Sequence, residues 1–397
     1  MSKFSRKVSN GIGFATRASR KSIGSRAIFV ISVLSLIFLC FSFVPMAKAS
    51  ATVVATIPVG SNPFGAAYDS GKGEVFVGNA LSNTVSVISD ASNTVVATVT
   101  VAVGDGGVAY DSGRGEIFVA HQSSNTVSVF SDVTNTVVAT VTVGANVVGV
   151  AYDSGKGEIF VANFNDATVS VISDLTNTVV ATVTVGAGAF GVAYDSGKGE
   201  IFVANANGHS VSVISDATNT VVATVTVGSN PNDVAYDSGK AEVFVGNFLG
   251  NTVSVISDLT NTVVATVAVG TGPNGVAYDS GTGEVFVANG GSNTVSVMSD
   301  VTNTVVATVT VGTGPTGAAY DSGKGEIFVA NASSHTVSVI SDGSSGSVGG
   351  PVIPVDKLAI LAPYMTVVFV GLATLTTAIL YARRVKPKKR KDDSEEG

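Results

Sequence analysis

One feature dominates the sequence. The triplet Tyr-Asp-Ser recurs at Tyr68, Tyr110, Tyr152, Tyr194, Tyr236, Tyr278 and Tyr320, always 42 residues apart. Seven near-identical units fill the stretch from Ala51 to Asp342. A repeat of this length is one supersecondary unit stacked on its neighbours. One unit reads Gly149-Val-Ala-Tyr-Asp, a Ser-Gly-Lys-Gly turn, Glu158-Ile-Phe-Val-Ala-Asn, a variable loop, Thr168-Val-Ser-Val-Ile-Ser, an Asp-Leu-Thr-Asn turn and Thr178-Val-Val-Ala-Thr-Val-Thr-Val. These are four short runs of strand-forming residues separated by turn formers. Four strands in a unit of 40–45 residues is the pattern of a propeller blade. The strands are named A to D from the axis outward.

The ends of the repeat predict how the ring closes. The seventh unit stops at Ser341-Asp342 without a strand D, and a spare copy of it, Thr52-Val-Val-Ala-Thr-Ile-Pro-Val, precedes the first unit. That segment is expected to complete blade seven, which removes the exposed edges of an open array. The fold class is therefore all-β, a seven-bladed β-propeller whose N-terminal strand closes the last blade, with a C-terminal transmembrane helix.

The flanks predict placement. Seven bases from Lys3 to Arg26, an apolar run from Ala27 to Met46 and Ala47-Lys48-Ala49 form the pattern of a secretory signal peptide over 1–49. The only cysteine, Cys40, lies in that run, so no disulfide can form within the chain. The ectodomain spans 50–342, and a Gly/Ser/Pro-rich linker with a coil reach of about 20 Å follows at 343–357. Leu358 to Tyr381 carries no charge and is long enough to cross a bilayer, within a span set at 358–382. The basic tail 383–397 is then cytoplasmic by the positive-inside rule. The expectation is a single-pass protein of the cell membrane, with its propeller outside. Between Ser50 and Lys357 there are 25 acids against seven bases. Such a body repels phosphate backbones, which argues against nucleic acid as a partner.

The segments Val75-Phe-Val-Gly-Asn and Ile159-Phe-Val-Ala-Asn, with Asn-Thr-Val-Ser-Val-Ile and Thr-Asn-Thr-Val-Val-Ala-Thr-Val, resemble the YVTN family of β-propeller repeats, common on archaeal cell surfaces. Phe and Ala or Gly stand where that family has Tyr and Thr. The resemblance covers 51–342. It implies a binding or structural module, and the fold alone supports many roles.

Comparing the units with each other separates scaffold from decoration. The A–B and C–D turns are nearly constant, and variation gathers in the B–C loops and D–A connections. Strand alternation puts these variable segments on one face and both chain ends on the other. Candidate ligand-binding residues on the variable face are Phe64, Asp105, His121, Phe164, Asp166, Phe190, His209, Asp233, Phe248 and His335. Loops on a rigid scaffold carry recognition, and an extracellular glycan or protein is the expected partner. Asn331-Ala-Ser is the one glycosylation sequon weighed. The Asp series from Asp69 to Asp321 reads as turn chemistry rather than calcium ligation. The three histidines match no metal spacing, so neither a metal nor another cofactor is expected. The leading expectation is a non-enzymatic adhesion or envelope module. The alternative is an extracellular propeller enzyme of the lactonase or lyase kind, which needs an axial cluster of His, Glu or metal.

Overall fold

The computed structural model describes residues 50–343, and the expected signal segment, membrane span and tail lie outside them. Within the described part the chain forms 28 strands in seven four-stranded antiparallel sheets. Blade three shows the common plan: Val147–Asp153, Glu158–Asn163, Thr168–Ser173 and Thr178–Thr184 as strands A to D. Glu158 lies opposite both Asp153 and Ser173, so the A–B and C–D turns share one face. Asn163 lies opposite Thr168, which puts the B–C loop at the other face.

Blade seven closes as expected. Its sheet order places the first strand, β1 (Thr52–Pro58), outside β28 (Thr336–Ser341). Thr52 pairs with Ser341, so both ends of the propeller leave from the face of the constant turns. The core at this seam joins Ile57, Phe328 and Val337 to Val75, Val77 and Ile88 of blade one. It repeats the core between any two blades, for example Phe160, Val169 and Val183 against Ile201, Val203 and Ile214.

Strand alternation explains these cores. Along strand B, Ile159 and Val161 face the preceding blade, while Phe160 and Ala162 face the following one. The seven strand-B phenylalanines, from Phe76 to Phe328, are fully buried. Each contributes about 1.5–3 kcal/mol of burial. Strand D is the outer edge of each sheet, and it carries no charged residue. It is blunted instead by a bulge at the same place in every blade: Val171 faces Ala181 and Ile172 faces Val179, leaving Val180 unpaired. Such a bulge turns the edge away from pairing with a second sheet.

The constant face is held together from blade to blade. Asp69 accepts hydrogen bonds from the backbone N–H groups of Gly71 and Lys72 at 2.7 and 3.2 Å, and the aspartates at its equivalents do the same, as turn chemistry predicts. Tyr194 of the next blade lies against Asp153, and burial, then that carboxylate, push its phenol up to about 12. The lysines of the A–B turns reach across five of the seven seams. Lys198 donates to the Asp258 carbonyl at 2.6 Å, and Lys72, Lys156 and Lys240 bond Asp132, Asp216 and Asp300 in the same way. Lys324 bonds the Asp90 carbonyl, which carries this belt across the closing seam.

Candidate functional site

The A strands surround the axis, and their first residues form the rim of the variable face. Two successive positions matter. The first is occupied around the ring by Phe64, Gly106, Val148, Phe190, Asn232, Asn274 and Thr316. The second is glycine in six blades and Asp233 in blade five. The glycines are required by crowding. A Cβ at Gly149 would lie 2.0 Å from the Phe190 carbonyl oxygen, and one at Gly275 would lie 2.0 Å from that of Thr316. Neighbouring A strands therefore nearly touch at this level and form a neck below the rim.

A cavity of about 190 Å³ runs along the axis through this level, from the rim residues down to Val108, Val150 and Val192. Its walls divide by chemistry. Phe64, Val148 and Phe190 make one side apolar, while Asp233, Asn274 and Thr316 make the other polar. Phe64 and Phe190 belong to blades one and four, which are not neighbours. Their ring centroids nonetheless stand 6.3 Å apart, so the two rings meet over the axis. Phe164, from the B–C loop of blade three, packs edge-on against Phe190 at 6.1 Å. Three rings from three blades thus gather at one mouth, in the geometry that aromatic pairs favour.

Polar side chains complete the rim. Asn232 donates to the Asn274 side-chain carbonyl at 3.1 Å. Thr316 spends its hydroxyl on backbone carbonyls of Pro63, Phe64 and Ala330, so it braces the seam rather than addressing the cavity. Asp233 accepts from Val276 N–H at 2.9 Å through one oxygen, Oδ2. Burial pushes its carboxyl up to about 6, against the opposing pull of the Val276 and Val234 N–H groups.

The remaining candidates fall elsewhere. Phe248 is half-buried beside Gly272 of its own blade's D–A connection and takes no part in the cluster. His121 is fully buried, with Nε2 2.8 Å from Ser128 Oγ. In other blades this place is taken by an Asn–Ser pair such as Asn79–Ser86 at 3.0 Å, so His121 is scaffold and out of a ligand's reach. Asp105 opens a strand with its backbone opposite His121. Asp166 is exposed, and its Oδ2 accepts from Ala145 N–H at 2.7 Å. His209 and His335 take positive φ values of 48° and 57°. Their Nδ1 atoms accept from the backbone N–H groups of Asn230 and Asn62 at 3.0 Å, the duty that Asn125 performs for Asn146. The sequon residue Asn331 is fully buried, and its amide donates to Thr336 Oγ1 and Ser338 Oγ. A glycan on it is incompatible with the folded blade, which corrects the expectation from the sequon. Among the described residues no group of three or more His, Cys, Asp or Glu is placed to hold a metal ion.

No known family's sequence profile matches the chain, and no curated protein matches it. Among solved structures it is similar to Kuenenia stuttgartiensis Hydrazine Synthase, with a TM-score of 0.65 and 18% identity over 70% of this chain and 95% of that one. At that identity the likeness shows the seven-bladed fold alone.

Proposed function

We propose that the chain is a surface-displayed propeller of the YVTN type, acting as a non-enzymatic binding or adhesion module through the axial mouth of its variable face. The observation that carries this reading is the convergence of Phe64, Phe164 and Phe190 over the axis, opposite a polar wall. Half-buried rings beside a carboxylate and an amide are the makings of a small recognition site. The site lies on the face opposite the chain ends, so anchorage by the 358–382 segment would leave it pointing away from the membrane. The acidic body favours an extracellular protein or glycan over nucleic acid as partner. The enzyme alternative gains no support here, because among the described residues lining the mouth Asp233 is the one acid or base.

The test is binding of the full chain, purified in detergent, to glycan arrays and envelope proteins. The parent is compared with a Phe64→Ala, Phe164→Ala, Phe190→Ala triple variant and with Phe248→Ala. Binding lost in the triple variant and kept in Phe248→Ala is the expected outcome. Loss in Phe248→Ala alone would move the site to the outer loops, and binding kept in both would dismiss the mouth.

A further inference from the structure

Asp233 stands out from the other blades at a position where the ring otherwise tolerates only glycine. In blades one to four and blade seven the pairing of strands A and B skips two residues, as between Val147 and Val150, whereas in blade six Gly275 stays paired with Ala288. In blade five Asp233 stays in register opposite Gly246. One oxygen of the side chain, Oδ2, is then tied to the next blade through Val276 N–H, and the residue lines the cavity. An ideal Cβ on Gly191 would come within 2.9 Å of the other oxygen, Oδ1, so the carboxylate sits beside the strand that carries Phe190.

Strand A runs from the rim inward. Asp233 belongs to the second level and the aromatic residues to the first, about 3.3 Å nearer the mouth. An entering group meets apolar walls before it meets the charge. Among the described residues lining the cavity, Asp233 is the only titratable one. The six bases of the described residues, Lys72, Arg114, Lys156, Lys198, Lys240 and Lys324, all lie in A–B turns on the opposite face. The mouth thus combines a carboxylate, an apolar collar and a field without competing cations.

Resting on the reading of the mouth as a binding site, we propose that it takes an alkylammonium group, the side chain of a lysine on a protein partner, with Asp233 as its anchor. The aliphatic stem lies along Phe64, Val148 and Phe190. The ammonium donates to Asp233 Oδ1, with the Asn274 amide beside it on the polar wall. Aromatic faces at the collar add attraction for the cation as it enters. A cavity of about 190 Å³ has room for one such side chain.

The probes are n-butylammonium, 1-pentanol as its neutral counterpart and glucosamine, titrated by NMR against the full chain in detergent. The proteins are the parent, Asp233→Asn, Asp233→Gly (the residue of the other blades) and Phe190→Ala. The expected result is preference for n-butylammonium, weakened about tenfold or more in both Asp233 variants, as loss of a charge-assisted bond requires. 1-Pentanol should bind the parent and the Asp233 variants alike and be weakened by Phe190→Ala. Parent affinity for the cation should rise with pH through about 6, as the Asp233 carboxyl ionises, and the variants should be flat. Equal binding of cation and alcohol would overturn the role of Asp233 while leaving the mouth as a site. Preference for glucosamine would replace lysine by an amino sugar. Failure of every probe on the parent would remove the mouth reading together with the proposal.

Discussion

At the scale of single residues, near-perfect repetition turns each departure into a controlled comparison. The B–C loop ends on a residue with positive φ in every blade: Asn83, Asn125, Ala167, His209, Asn251, Asn293 and His335. Asn and His tolerate that conformation better than other side chains. Each also offers an acceptor to an N–H 21 residues on, as Asn251 does for Gly272 and Asn293 for Gly314 at 2.9 Å. Ala167 can do neither. Ala167→Asn therefore relieves backbone strain and supplies a bond to Gly188 N–H. The expected gain is about 1 kcal/mol, read as a shifted urea midpoint with unchanged slope. No gain would mean that the loop of blade three is held by other contacts. The same comparison explains why His121 and Asn331 were hard to place from sequence. Both end strand B next to a variable loop, and only the ladder shows that they point into the sheet.

At the scale of elements, strands and turns were legible because their signals are local and repeated. Alternating Val and Ser, Asp before a Gly-rich turn and the displaced copy at Thr52 each carry a physical meaning that needs no distant partner. The convergence of three phenylalanines was not legible. It depends on the radius of the ring and on how the bulge at the start of strand A aims each side chain across the axis. Glycine at the neck was visible as a repeated letter, but only the 2.0 Å approach of the neighbouring carbonyl explains it. The closing strand is where sequence and packing agree most directly. β1 completes the sheet of blade seven and delivers Ile57 to the core at the seam. Ile57→Ala should cost about 2–4 kcal/mol, whereas Val54→Ala, at an exposed bulge position, should cost under about 0.5 kcal/mol. If thermal unfolding shows equal effects, β1 does not hold the ring closed in solution.

At the scale of the whole molecule the two faces differ in chemistry as well as in variability. The A–B and C–D turns carry every base of the described residues and also four highly exposed apolar tips, Val133, Leu175, Leu259 and Val301, between 72 and 81% exposed. Both ends of the propeller leave from this face. The other face bears the aromatic mouth with Asp166 and Asp233, whereas most acids of the described residues, in the series of Asp69, Glu74 and Asp90, lie with the bases on the constant face. If the 358–382 segment is a membrane anchor, a linker of 15 residues keeps the propeller close to the bilayer. Apolar tips would then meet the headgroup boundary. This makes a prediction about access in intact cells. In a Cys40→Ser background, Asn207→Cys marks the B–C face and Ser154→Cys marks an A–B turn, both at exposed positions. A membrane-impermeant maleimide should label Asn207→Cys severalfold faster than Ser154→Cys on cells, and the two at similar rates after solubilisation in detergent. Similar rates on cells would mean that the propeller turns freely on its linker. Faster labelling of Ser154→Cys would invert the assignment and put the axial mouth against the membrane, where a lysine of a distant partner could not enter it.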